Sequence, residues 1–568
     1  MGQLDQILSF PGLTLAGIAE SFLAIKLFPE YYSSQSHLST VAGILLCNYA
    51  FGILFWFLLY PFLFSPLRNL KGPRVSDFFD STRPTNCSSI FQAFISPAHK
   101  SLLVTDRPAG DLWLDLVKEY PDEELLGLTF RRNSAAITHP RLLADVLVHR
   151  SYDFEKPPEA RNFLRHVLGD GLIIVEGDQH KFLRKNTMPA FHFRHIKELY
   201  PMIVSKAHLL TNALKKEVAS GGGEKGSGVI ELSTWASKVT IDIIGIAGLG
   251  RKLNVVEKDS DPLQELYEEL LEPSREKLTF AISCFILGYD FVKHIPWKMN
   301  DLFRHLTGSL DKICFDMIRE KRDAITKKGD DHFDVLSLLI KSDNFSDSEL
   351  KDQLLTFLAA GHETTASALT WACYLLAKHP EYQEKLRQEV TEAFPSGLNA
   401  DAEASELAGT LEQMPYLNGV MNETLRLYPT VPQTLRQAQR DTRIGDHFIP
   451  KGTVIVLSMW LINRMPEIWG GDGVAGEFRP QRWISEAGKP NQNGGASSNY
   501  DFLTFLHGPR SCIGQGFARA EMRCLLAAIV SSFRWDLAMD DAKVMPRGVI
   551  TIKPQNGMYL RLTPLEQS

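Results

Sequence analysis

From Val41 to Phe64 the chain runs for 24 residues without a formal charge and with a single amide, Asn48. Wound as a helix, that stretch is roughly 36 Å long, enough to cross the hydrocarbon core of a bilayer with some tilt. Soluble helices seldom stay apolar on every face for so long, so the run predicts a membrane span over 41–64. Met1 to Asp5 holds no basic residue and no small-residue cleavage site closes the apolar run, so a retained anchor is expected rather than a cleaved signal peptide. Arg68, Lys71 and Arg74 follow at once, and the positive-inside rule then sets the rest of the chain on the cytoplasmic side. Ile7 to Phe28 is a second apolar stretch, interrupted by Glu20 and Lys26, and reads as either a second span or an interfacial helix. Lys71-Gly72-Pro73 reads as a stiff turn that separates an anchor, 1–70, from a globular domain, 71–568.

The globular part has an ordinary composition: across the 568 residues 44% are hydrophobic and 23% charged, which excludes disorder and small disulfide scaffolds. Lys and Arg total 61 against 67 Asp and Glu, and no basic tract stands out, so nucleic acid is not an expected partner. Seven scattered cysteines without a CxxC pair suit reduced thiols better than a secreted framework. No repeat or long linker divides the chain past residue 75, and the Gly/Ser-rich stretches Ala219–Gly228 and Ser485–Ser498 read as flexible surface excursions. Helical periodicity dominates, over Ile196–Val218, Leu232–Leu249, Leu302–Lys328, Ser346–Lys378, Glu381–Phe394, Pro415–Tyr428 and Gly514–Phe533. Strand signals are short, at Gly127–Thr138, Arg443–Leu457 and Val549–Leu562, so the expected fold is mainly α with small β-sheets, an α+β plan.

Two segments carry chemistry. Between Asp352 and Lys378 the one formally charged side chain is Glu363, within Ala360-Gly361-His362-Glu363-Thr364-Thr365. A lone carboxylate in an otherwise apolar helix is costly unless it is paired, protonated or facing a cavity. Gly361 inside a helix and two adjacent hydroxyls suggest a ligand near the backbone and a place where protons are handled; a structural Glu satisfied by a distant Arg or Lys is the competing explanation. In Phe505-Leu506-His507-Gly508-Pro509-Arg510-Ser511-Cys512-Ile513-Gly514, Cys512 sits at the mouth of a helix, where free N–H groups favour a thiolate, with Arg510 two residues away.

The pattern Phe505, Gly508, Arg510, Cys512, Gly514 resembles the haem-binding loop of the cytochrome P450 family. Ala360 to Thr365 is similar to that family's oxygen-activating helix, Glu423-Thr424-Leu425-Arg426 to its Glu-x-x-Arg helix, and Phe478 to Trp483 to the arginine-bearing segment beyond it. The four motifs occur in the family's order over roughly residues 70 to 565. One departure is His180 where the family often has Trp, four residues before Arg184.

The resemblance implies a cytochrome P450 fold behind an N-terminal transmembrane helix and a haem b whose iron is held by Cys512. It implies that Arg510, Arg184 and Arg436 meet the haem propionates, that Phe505 belongs to the haem loop, and that Glu363 and Thr364 deliver protons beside bound dioxygen while Gly361 leaves room for it. By read-through of the helix Pro415–Tyr428 alone, Glu423 and Arg426 form an exposed ion pair; the resemblance instead implies a buried network with Arg482. Ala359, Ala360, Thr365, Thr430 and Val431 are the expected pocket lining, with Tyr152–Val175 beside them, and Leu278–Pro296 resembles an access region that touches the membrane. The implied activity is a monooxygenase that inserts one atom of O2 into a lipophilic small molecule. Electrons come from NADPH through a separate flavoprotein reductase, with cytochrome b5 as a second donor. An endoplasmic reticulum anchor of one or two passes with the catalytic domain in the cytosol is expected. The haem-loop neighbourhood looks most like fungal members that tailor secondary metabolites such as terpenoids or polyketides. A haem-thiolate isomerase or dehydratase of a peroxide, and a non-catalytic haem sensor, are the alternatives.

Overall fold

The computed structural model describes residues 10–28, 37–73, 107–108, 110–128, 133–220, 228–258, 260–271, 274–328, 334–548 and 550–565. The chain start, Arg74, Cys87 and most of the Ala219–Gly228 stretch lie outside these residues.

Helix α1 (Phe10–Leu27) packs on α2 (His37–Leu54), which continues into a π-helical stretch, Phe55–Phe64. By length and apolarity α2 can cross a membrane, with a mean hydropathy of 1.5. The two helices approach closely through small residues. A Cβ on Gly17 would sit 2.6 Å from the Leu45 side chain, and one on Gly52 would sit 2.7 Å from that of Leu13. Polar groups are paired along the seam: Asn48 Nδ2 donates to Glu20 Oε2 at 2.7 Å, and the Thr14 and Tyr49 hydroxyls lie 2.6 Å apart. Leu15, Ile18, Phe22, Leu38, Leu46 and Phe51 point outward and are exposed. Small residues and paired polar groups inside with apolar side chains outside is how helices associate in lipid.

Within the π-helical stretch and just after it the chain is fastened to the globule. Ser65 Oγ donates to Asn133 Oδ1 at 2.8 Å and Tyr60 Oη does so at 3.3 Å. The Gly127 N–H donates to Lys71 O at 2.8 Å. Lys71-Gly72-Pro73, expected as a separating turn, therefore lies against the edge of the first sheet, where a Cβ on Gly72 would meet the Gly127 carbonyl.

That sheet has five strands in the order Leu125–Gly127, Ser134–Ile137, Val454–Ser458, Gln433–Ala438, Phe154–Glu155. All neighbours are antiparallel except Ser134–Ile137 with Val454–Ser458. The pairing of Glu155 with Gln437 brings Lys156 and Arg436, far apart in sequence, to the same end of the sheet. A three-stranded sheet of Val229–Glu231, Tyr559–Pro564 and Phe533–Leu537 closes the other side.

The helical body comprises α3 (Pro158–Leu168), α4 (Gly177–Thr187), α5 (Tyr200–Ala219), α6 (Leu232–Ala247), α7 (Arg275–Leu287), α8 (Lys298–Lys328), α9 (Asp347–Lys378), α10 (Pro380–Ala393), α11 (Pro415–Leu427) and α12 (Gln515–Ser532), besides shorter helices. Helix α9 is the axle. A capping box starts it, with Ser346 and Glu349 each bonding the other's backbone N–H. Its flanks pack on α6, α8, α10 and α12, burying Leu354, Leu358, Leu369 and Trp371. The seven helices expected from periodicity are present, with ends shifted by a few residues.

Two expectations change. Helices α3, α4 and α7 are additional to the seven expected from periodicity. Ser485–Ser498 is a set of hydrogen-bonded turns rather than a free excursion: the Asn491 N–H donates to Trp483 O at 2.7 Å, and Ala496 is buried with Trp469 and Trp483.

Candidate active site

Along α9 the side chains are buried from Asp352 to Leu358 and again from Thr365 to Leu376. Between them Ala359, Ala360, Gly361, Glu363 and Thr364 keep partial access, while His362 is buried and shares its Nδ1 with Leu358 O at 2.9 Å. The lone acid has a partner: Glu363 Oε1 lies 2.6 Å from Lys553 Nζ, a half-exposed lysine near the C-terminal end of the chain. The Thr364 hydroxyl donates to Ala360 O at 2.7 Å, one turn back.

Thr365, expected on the pocket, is 2% exposed and faces α12 beside the buried Glu521 carboxyl, because one helical step turns it about 100° from Thr364. The open side of Gly361 is also not where it was expected. A Cβ there would meet Ile244 of α6 at 2.7 Å, so the glycine admits a neighbouring helix. Thr430 is buried with its carbonyl taken by the Ile552 N–H at 2.9 Å, Val431 packs on the sheet's core, and Ala359 packs between two apolar clusters.

The Cys512 loop turns tightly. Leu506 has φ 56° and Gly508 φ 74°, and a Cβ on Gly508 would collide with the Leu147 carbonyl, so only glycine fits there. The Cys512 N–H donates to Phe505 O at 2.9 Å, closing the loop ahead of α12. Cys512 retains accessible surface although protein surrounds it. Burial pushes its thiol up, opposed by the Gly514 N–H and the Arg184 guanidinium. A helix mouth alone therefore does not ionise it, whereas a coordinated metal would.

Around this loop lie the arginines. Arg184 Nη1 donates to Ser511 O at 2.7 Å. Arg436, buried on its strand, donates to Leu435 O at 2.8 Å, and burial followed by the nearby Arg510 brings it down to about 10. Arg510 is paired with a residue the sequence did not single out: its Nη2 lies 2.5 Å from Glu176 Oε2, and the side chains are 5% and 2% exposed. Lys156 joins the same carboxylate at 3.0 Å. His180 is buried, its Nδ1 3.3 Å from the Tyr152 hydroxyl; burial, then Arg510 and Lys156, draws it down to about 4, so it is neutral at physiological pH. A sulfur donor with several buried cations at its side suits a metal-bearing ligand that carries its own carboxylates.

Glu423 and Arg426 of α11 are both fully buried. The exposed pair expected from the helix pattern alone is thus corrected. Arg426 grips the carboxylate with two bonds, Nε to Oε2 at 2.8 Å and Nη2 to Oε1 at 2.7 Å. Arg482 Nε at 2.9 Å, Trp483 Nε1 at 2.9 Å and the Arg479 N–H at 3.0 Å complete its coordination. Arg426 Nη1 also donates to Asn463 O and Ala475 O, at 2.8 and 2.7 Å. Asn463, likewise unforeseen, carries the network onward: its Oδ1 accepts the Leu503 N–H at 2.9 Å and its Nδ2 donates to Thr504 Oγ1 at 2.7 Å, just ahead of Phe505. A single Asn in a sequence gives no sign of such a role.

Comparison with known proteins places the chain in a family. A family profile described as Cytochrome P450 matches residues 123–561. The chain is 38% identical over 571 residues to cytochrome P450 monooxygenase sphH of Aspergillus fumigatus, covering 99% of this chain and 100% of that one. It is 36% identical to cytochrome P450 monooxygenase FUM15 of Gibberella moniliformis, over 76% of this chain and 79% of that one. It is 35% identical to cytochrome P450 monooxygenase ptmK of Penicillium ochrochloron, over 89% and 95%.

Proposed function

The chain belongs to the cytochrome P450 family and is a haem-dependent monooxygenase; from that premise we propose that Cys512 would supply the thiolate that holds the haem iron and that the surrounding residues divide the remaining work as follows. Haem held by a thiolate supplies an iron centre suited to reductive cleavage of dioxygen. Arg184, Arg436 and Arg510 would hold its carboxylates, with Phe505 and Gly508 shaping the loop. The Glu423–Arg426–Arg482 network, acting through Asn463, holds the loop in place. The observation that carries this reading is the setting of Cys512: an accessible thiol in a closed loop, with buried cations beside it.

Thr364 and Glu363 are the proton-handling pair. In the structure the Thr364 hydroxyl points its proton at Ala360 O, and a turn about χ1 would free it to donate to a ligand bound beside α9. Glu363, partly exposed and held by Lys553, exchanges protons with solvent and can pass one inward. Ala359, Ala360 and Val431 are retained as pocket lining, with Thr430 contributing from its buried position; Gly361 serves close helix packing. Leu278, Ile282, Leu287, Phe291 and Ile295 leave an apolar surface on and after α7, which suits entry of a lipophilic substrate from the bilayer.

P450 monooxygenases generally depend on a redox partner, and the proposed one is an NADPH-dependent flavoprotein reductase, with cytochrome b5 as a second donor. We place the boundary between anchor and haem domain near residue 70. Helices α1 and α2 are read as a two-pass hairpin in the endoplasmic reticulum membrane, with the catalytic domain cytosolic, because their contacts pair residues in antiparallel order. The decisive experiment is Cys512→Ala. The wild-type ferrous carbonyl complex shows the red-shifted Soret band of thiolate ligation and the variant does not; its persistence in the variant would remove Cys512 from the iron.

A further inference from the structure

Glu521 lies on α12, on the same helix that the Cys512 loop opens, and is 0% exposed. Among the described residues neither of its carboxyl oxygens has a hydrogen-bond partner. The cations of α12 and of the helix beside it are turned elsewhere. Arg519 donates to Gln492 Oε1 at 3.2 Å and lies over the Phe505 ring. Arg523 donates from Nε to Asn418 Oδ1 at 2.8 Å, and Arg387 of α10 from Nε to Val530 O at 3.1 Å. The titratable neighbour on its own helix is Cys524, a buried thiol that burial holds protonated. From α9 the polar group beside Glu521 is the Thr365 hydroxyl.

A carboxylate without water, donors or a cation is too costly to keep, so the group holds its proton. Burial pushes its carboxyl well above the ordinary 4.5, with Thr365 opposing. A carboxylic acid is a donor as well as an acceptor. The Thr365 hydroxyl donates to Gly361 O at a loose 3.3 Å, and its oxygen can accept at the same time. One residue back, Thr364 donates to Ala360 O at 2.7 Å. Two successive hydroxyls thus load two successive carbonyls of α9, an arrangement that bends a helix. The loaded turn is the one at which α9 keeps partial access, from Ala359 to Thr364.

We propose that Glu521 is a positioning residue for Thr364: its carboxylic O–H donates to Thr365 Oγ1, commits the Thr365 proton to Gly361 O and so fixes the turn of α9 that carries Thr364. A small rotation of the carboxyl, whose oxygens are otherwise unused, closes the bond. A hydroxyl that accepts such a bond is itself a stronger donor. Because α12 starts at the Cys512 loop and packs on α9, the same side chain sets how the two helices sit against each other. The proposal rests on the role given to Thr364 above, which Thr364→Ala tests separately.

The test uses the full-length holoprotein in detergent micelles, with Glu521→Gln, Glu521→Leu and Thr365→Val. Glutamine keeps a neutral donor, and leucine removes it at similar volume. The first readout is the urea midpoint against pH. Above the ordinary carboxyl value and below the raised folded one, the folded chain holds one proton more than the unfolded chain, so stability falls as pH rises. E521Q lacks this dependence. From about pH 5.5 to 7.5 the wild-type midpoint therefore drops relative to that of E521Q by about 0.5 M per pH unit. The second readout is the C–O stretch of the ferrous carbonyl complex, which responds to the local field of the Thr364 hydroxyl. E521L and T365V move it alike, their double variant moves it no further, and E521Q leaves it in place. T365V keeps the acid and carries the same expectation where E521L fails to fold. A midpoint gap that is flat with pH, a stretch unmoved in T365V, or one moved as far by E521Q as by T365V would overturn the proposal.

Discussion

Glu423→Gln tests how much of the Cys512 loop is held in place from α11. The carboxylate accepts from Arg426 twice, from Arg482, from Trp483 and from the Arg479 N–H, with no solvent at either Glu423 or Arg426. A glutamine keeps the shape but turns one acceptor into a donor aimed at Arg426 and leaves that guanidinium as an uncompensated buried charge. Breaking a buried pair in this way costs about 3–5 kcal/mol, and the bonds to Arg482 and Trp483 belong to the same network, so they do not simply add. For a protein of this size a urea slope of about 3 kcal/mol/M converts the loss into a midpoint lower by roughly 1 M, read by tryptophan fluorescence.

The pH dependence supplies a second reading. Burial opposes ionisation of Glu423, but Arg426 and then Arg482 outweigh it and hold the carboxyl below its ordinary 4.5. Its contribution to stability is therefore complete above that value and is lost as pH falls through the lower folded value. The gap between wild type and E423Q is constant above about pH 5.5 and closes on further acidification. A midpoint shift under about 0.3 M, or a gap that widens in acid, would refute the reasoning.

Thr364→Ala keeps the ferrous carbonyl spectrum and haem content while diverting electrons to hydrogen peroxide; unchanged coupling of NADPH to product would count against its proton role. Gly361→Ala lowers stability by about 1–3 kcal/mol through overpacking against Ile244. In a double-mutant cycle with Ile244→Ala the two changes couple favourably by about 1 kcal/mol or more, and strict additivity in urea melts would show that the contact is not the cause. An N-glycosylation acceptor placed between residues 29 and 36 is used and one ahead of α1 is not, as a two-pass hairpin requires; use of the acceptor ahead of α1, read on gel mobility, would leave α2 as the single span.

Much of the fold could be read in advance because its long helices advertise themselves. Helix α9 is apolar on all faces and capped by Ser346 and Glu349, so both its start and its burial were visible. Helix α7 was not, since Leu278, Ile282 and Leu287 lie on its exposed side and blur the pattern. At the site the limit is of another kind. Helical spacing places Glu423 and Arg426 together but cannot tell that Trp483, sixty residues on, will bury them. Glu176 looks like any acid before a helix until the sheet brings Lys156 and the loop brings Arg510 to its two oxygens. Glu363 was singled out as isolated, yet Lys553, nearly two hundred residues away, reaches it from the C-terminal end. Pairings across such distances are set by the tertiary fold and leave no trace in local periodicity.

The fastening of the N-terminal helices to the first sheet bears on the membrane orientation proposed above. Tyr60 and Ser65 share Asn133, and Lys71 pairs with Gly127. Helix α2 and its π-helical extension are thus held to the globule as by a bracket. In the proposed membrane-anchored state, the angle at which the apolar surface after α7 would meet the lipid, and the face left for an electron donor, would be set in part by the sheet edge. Shortening the chain within residues 60–71 would then alter orientation as well as attachment, even where every residue around Cys512 is untouched.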